Sequence, residues 1–210
     1  MKFLLTAGLL AGIFFNAAAQ THVLVRGGFN YSTGRVYYND VKQPVDYIPG
    51  GNIGLQLKTA FDGLLHFSPY IGYSSRGFLI RSDQNADKIR NLIHYIDIAP
   101  LLSIDIPANK TNKFVISAGP VAGFAIAGTE KKTIAGVTSS SKMKFSTTGN
   151  YGYFDFGLQA GMGYHFKKFF VEAAYQYGFV SINNEEERDK RNMRNRNFSL
   201  NIGYYLKSYK

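Results

Sequence analysis

Two arrangements of side chains in this sequence could do chemistry. The first is His66-Phe67-Ser68. On an extended chain, residues two apart share a face, so the imidazole could act as base toward a seryl nucleophile. Such a pair also needs a third group to orient the base, and no Asp or Glu follows at a convincing position on a neighbouring stretch. The second is a set of six charges set among apolar and small residues: Arg26, Lys58, Asp97, Asp105, Asp155 and Glu172. They would form a buried ladder in which the two cations can pair with some of the four carboxylates, because opposite charges held in a shared interior attract strongly. Other chemistries are poorly served. The four His (His22, His66, His94, His165) form no HExxH or close pair, and there is no Cys, so neither a disulfide nor a thiolate metal site is expected. The spaced glycines of "AGPVAG" and "GLQAGMG" are not followed by GK[ST], so they are no phosphate loop. No catalytic set, cofactor or metal is expected.

The elements that would position those charges show a period of two. In "FDFGLQAGMGYHF", Phe154, Phe156, Leu158, Ala160, Met162, Tyr164 and Phe166 alternate with Asp155, Gly157, Gln159, Gly161, Gly163 and His165. The same alternation runs through "NIGLQLK" (52–58), "FFVEAAYQYGFV" (169–180) and "RNFSLNIGYYLK" (196–207), which mark strands. "VLVRGGFNY", "LHFSPYIGYSS" and "YIDIAPLLSIDI" alternate less cleanly. Residues 114–127 are apolar on both faces. Together these are eight strands, several near the 9–11 residues a tilted membrane strand needs.

The connections alternate too. Asp62-Gly63, "PANKTNK" and Lys167-Lys168 are tight, whereas 33–50, 77–91, 129–150 and 182–196 are long and carry most of the charge. Short turns on one rim and long loops on the other are the pattern of a membrane barrel. All six strand charges fall on the face rich in Gly, Ser, Asn and Gln. That face would be the inside of a narrow eight-stranded barrel, which side chains just fill. The bulky residues, among them Phe154, Phe156, Leu158, Val171, Tyr175, Phe198, Leu200 and Ile202, would then face lipid. A soluble sandwich or lipocalin-like barrel is the alternative, with the apolar face turned inward.

The first residues, "MKFLLTAGLLAGIFFNAAAQ", read as an export signal. Lys2 begins it, Phe3 to Phe15 is apolar, and Ala17-Ala18-Ala19 suits cleavage. The expected division is a cleaved signal at 1–19 and a barrel domain at 20–210. No later run is long enough for a membrane helix. The formal charge of +10 comes from basic residues scattered over several segments. Without a recognisable module, that spread argues against nucleic-acid binding.

"VRGGFNYS" (25–32), "FSPYIGYSSRGF" (67–78), "YIDIAPLL" (95–102), "SAGPVAGF" (117–124), "FDFGLQAGMGY" (154–164) and "AYQYGFVSI" (174–182) resemble, in order and spacing, the PorT-like outer-membrane β-barrel family of the Bacteroidetes. Two features depart from that pattern: Tyr70 stands where an acidic residue is common, and "YYLKSYK" lacks the usual terminal aromatic. The resemblance implies an all-β, eight-stranded antiparallel up-and-down transmembrane β-barrel in the cell outer membrane. The expected role is non-enzymatic: a membrane anchor, filled inside, displaying four extracellular loops for binding or envelope integrity. Expected partners are outer-membrane lipid, lipopolysaccharide at basic loop residues (Lys131, Lys132, Lys142, Lys144, Arg191, Arg194, Arg196), and a protein partner if the chain serves secretion as PorT does. Lipid hydrolysis by His66 and Ser68 is a further, lesser alternative.

Overall fold

The computed structural model describes residues 21–81, 87–146, 151–184 and 190–207. The expected export signal lies outside the described residues.

Eight long strands follow one another antiparallel and close on themselves. They are β1 (Thr21–Tyr38), β4 (Ile48–Asp62), β5 (Leu65–Arg81), β6 (Lys88–Pro107), β7 (Asn112–Ile134), β9 (Phe154–Phe166), β10 (Phe169–Gly178) and β11 (Arg191–Lys207). Each pairs with the next in the chain, and β11 returns to β1 along a ladder from Tyr38↔Arg191 to Val23↔Lys207. Closure leaves the barrel wall without an open edge, as a membrane-spanning sheet requires. No described helix is long and apolar enough to cross a membrane; the crossing elements are strands.

Three short strands, β2 (Val41–Lys42), β3 (Val45–Asp46) and β8 (Val137–Lys142), belong to the long connections. The expected loops are shorter than the sequence suggests, because the strands run on through them. β7 has 23 residues and continues through a hairpin into β8. Asn39-Asp40, and Ala135-Gly136, have positive φ at both positions, the geometry whose twist matches a two-residue hairpin. Polar composition at 129–134 and mixed composition at 33–38 hid this, and at 77–81 the run Phe78-Leu79-Ile80 shows no alternation.

Outward-facing bulky residues form a band. Phe154, Phe156, Leu158, Val171, Tyr175, Phe198, Leu200 and Ile202 are all exposed, between 37% and 67%. Two arcs of touching rings bound it. At the short-turn end run Phe114, Tyr164, Phe166, Phe169 and Tyr204. At the long-connection end run Phe124, Phe154, Phe156, Phe179 and Tyr177. β9 crosses the band in 13 residues. At ~3.4 Å per residue and a tilt of ~40°, that is roughly 30 Å between the arcs, close to a hydrocarbon core with its aromatic girdles.

Glycines on the inner wall make room for large neighbours. A Cβ on Gly203 would lie 2.1 Å from the Phe170 ring, one on Gly72 2.1 Å from the Tyr70 hydroxyl, and one on Gly34 2.7 Å from the Phe78 ring. The barrel is too narrow for bulk on every strand, so each wide side chain faces a bare stretch of wall.

Candidate functional site: the barrel interior

The interior is built in layers, alternately ionic and apolar. At the short-turn end Asp105 receives Lys58, and its other oxygen lies 2.5 Å from Lys113 Nζ and 3.8 Å from His66 Nε2. Above it Leu24, Phe170 and Tyr205 pack together, with the His165 ring stacked on Phe170 and its Nδ1 2.6 Å from the Tyr205 hydroxyl. Next, Arg26 pairs with Glu172 at 2.9 Å, and its guanidinium lies 4.8 Å from the centre of the Tyr70 ring. Tyr70 thus offers the cation an aromatic face.

The most enclosed group is Arg76. It is wholly buried and reaches Asp97 at 2.7 Å, Asp155 at 3.1 Å and the Ser74 hydroxyl at 2.6 Å. Its guanidinium stacks 3.9 Å from the Tyr95 ring centre. Asn195 donates to Asp155 at 2.9 Å and to the Tyr95 hydroxyl at 3.0 Å, tying β5, β6, β9 and β11 into one network. Sequence reasoning missed Arg76 as an interior charge because its strand was taken to end at that point. Its position was readable: Ser68, Tyr70, Ser74 and Arg76 continue one parity, and all are buried.

The structure therefore places Arg26, Lys58, Asp97, Asp105, Asp155 and Glu172 on the inside, each at most 5% exposed. They do not form one ladder but three separate ionic clusters. With Arg76 and Lys113 added, the four carboxylates Asp97, Asp105, Asp155 and Glu172 meet the four cations Arg26, Lys58, Arg76 and Lys113. Such balance is what makes so many buried charges tolerable.

Above the Arg76 network the interior becomes apolar. Val36, Phe78, Ile80, Ile93, Tyr95 and Met193 from the strands enclose Met143, Tyr151 and Ile182 from the long connections. The Tyr151 hydroxyl donates to Glu130 at 2.6 Å, and the amide of Gly152 to the carbonyl of Ile182 at 2.9 Å. The connections thus fold inward as a roof.

His66 and Ser68 share the inner face, but their polar atoms are engaged elsewhere. Ser68 Oγ lies 2.7 Å from Ser103 Oγ and is fully buried; His66 Nδ1 faces the Leu64 carbonyl at 3.0 Å. A carboxylate does stand near His66, contrary to the sequence reading, yet that carboxylate, Asp105, is held by two lysines. Among the described residues no group of His, Asp or Glu is arranged to hold a metal.

A closed ring of eight strands, a lipid-height apolar band and a filled interior now stand together. Residues 17–184 match the family described as outer membrane protein beta-barrel domain. The chain belongs to that family. Its members' barrel is an outer-membrane fold, which places this protein in the outer membrane. No curated protein matches the chain. Among solved structures, it is similar to OprG of Pseudomonas aeruginosa (11% identity, 90% of this chain and 97% of that one, TM-score 0.47). It is also similar to Ail of Yersinia pestis (15% identity, 88% and 98%, TM-score 0.43). Likeness at this level carries no functional meaning.

Proposed function

We propose that the protein is a non-conducting anchor in the outer membrane, presenting its long-connection end outside the cell. The observation that carries this reading is the interior. Lys58, Arg76, Asp155 and Asn201, at different heights, are each 1% exposed or less, so side chains fill the lumen around each of them. Larger porins conduct because their lumen is open; an eight-stranded wall encloses only side chains. The engaged hydroxyl of Ser68 and the lysine-bound Asp105 favour a non-enzymatic role over lipid hydrolysis. The test is incorporation of the folded, heat-modifiable protein into planar lipid bilayers. Conductance at the bare-bilayer level is expected; regular discrete steps would overturn the reading.

The resemblance to the PorT-like family supports a second reading, an accessory to protein secretion, for which the connections that fold inward at Met143, Tyr151 and Ile182 offer a docking face. Co-purification of a stoichiometric partner after mild detergent extraction would favour it, and a partner-free monomer would count against it.

A further inference from the structure

Just above the upper aromatic arc, the outer wall carries three arginines that pair with no carboxylate among the described residues. Arg35 and Arg194 are direct cross-strand partners in the β1–β11 ladder, and Arg196 pairs with Thr33 one step closer to the aromatic arc. Cross-strand partners point to the same side of the sheet, and like charges placed so are destabilising. Nothing among the described residues neutralises them. None of the three is in an ion pair; Arg35 donates to the Tyr37 hydroxyl at 2.8 Å, and Arg194 to Asn192 at 3.0 Å. The Tyr177 hydroxyl receives both Arg35 and Arg196, at 3.5 and 3.4 Å. Their guanidiniums are further steadied over the Tyr37 and Tyr177 rings, at 4.9 and 4.8 Å. The described carboxylates nearby are turned elsewhere: Asp46 holds Arg81, and Asp40, at the hairpin tip, pairs with none of the three.

Beside these arginines lies a cleft of about 430 Å³, formed where residues 42–47 fold against β1. It is lined by Arg35, Tyr37, Lys42, Gln43, Tyr47 and Arg196, among others. Tyr47 stacks on Tyr31, whose side chain is exposed on the same outer face of β1, at 4.7 Å. The site therefore has an aromatic floor at the edge of the apolar band and fixed forked donors above it. Guanidiniums in this arrangement suit phosphate oxygens, which accept paired N–H bonds.

We propose that Arg35, Arg194 and Arg196 form a clamp for the phosphate headgroup of an outer-leaflet glycolipid, whose acyl chains lie against the apolar band below. The assignment rests on the barrel being embedded with its long connections outward. It adds Arg35, Tyr37 and Tyr177, none of which the charge of the loops alone points to.

The test uses the full barrel refolded in detergent micelles, titrated with lipid A phosphate, dephosphorylated lipid A, phosphatidylglycerol and inorganic phosphate. Wild-type protein should bind the phosphorylated glycolipid most tightly. The R35Q/R194Q/R196Q variant should lose that affinity by about tenfold or more, as befits the loss of charge-assisted hydrogen bonds. K131Q/K132Q/K142Q, which removes equal charge from the β7–β8 hairpin, should change it less than about twofold. Equal losses in both variants, or no loss in the arginine variant, would overturn the clamp. So would equal binding of dephosphorylated lipid A, phosphatidylglycerol or inorganic phosphate. Should the arginine variant fail to fold, phenylglyoxal labelling of the wild type decides: lipid A phosphate must protect Arg35, Arg194 and Arg196, and unprotected arginines refute the site. Loss of heat-modifiable mobility in the wild type would instead refute the embedding on which the clamp rests.

Discussion

Replacing Arg76 with Met removes a fully buried guanidinium while keeping much of its volume. Asp97 and Asp155, at 5% and 0% exposure, would then face each other's surroundings without a cation. Breaking one buried pair costs about 3–5 kcal/mol, because the survivor remains desolvated. Losing the stack over Tyr95 adds up to about 2 kcal/mol. Part is recovered, since Asp97 keeps the Ser74 hydroxyl and Asp155 keeps the Asn195 amide. The expected loss is about 5 kcal/mol. In R76M/D97N/D155N no charge remains, and the loss should shrink to within about 2 kcal/mol of wild type, since neutral replacements remove the desolvation cost. The assay is urea unfolding in lipid vesicles, followed by heat-modifiable mobility and circular dichroism; the chain has no Trp to serve as a probe. A cost below about 1 kcal/mol for R76M, typical of exposed pairs, would refute the network's role, as would a triple variant no more stable than the single one.

Three further outcomes are expected. Leu200→Arg, on β11 midway between Arg196 and the lower-arc Tyr204, should cost about 2–4 kcal/mol, against about 0–1 for Leu206→Arg near the band's edge; equal costs in vesicle unfolding would contradict the lipid-facing assignment. Gly203→Ala, whose Cβ would meet the Phe170 ring, should destabilise by about 1–3 kcal/mol through overpacking, and adding Phe170→Leu should relieve most of it. Lys58→Met should destabilise less than Arg76→Met in the same assay, because Lys113 still neutralises Asp105.

The barrel was legible because a membrane wall reverses ordinary patterning. Leu200 and Ile202 alternate with Ser199 and Asn201 on β11, and each side has one solvent to satisfy. Legibility stopped where that contrast stopped. Above the bilayer both faces of β1 and β7 meet water or loop, so Thr33–Tyr38 and Thr129–Ile134 read as connections although they remain in the sheet. Arg76 is hidden for a different reason: Ser74-Ser75 breaks the alternation before it, and Phe78-Leu79-Ile80 after it are apolar on both faces. The grouping of charges was beyond the sequence altogether. Whether Asp155 meets Arg76 or Arg26 depends on strand stagger around the closed ring, which no single strand encodes.

The continuation of β7 into the β7–β8 hairpin has a consequence for anything that meets this end of the barrel. What rises from the membrane there is a stiff parapet held by sheet hydrogen bonds instead of a tangle of tethers. A visitor need not freeze a moving chain before gripping it, so little entropy is forfeited on contact.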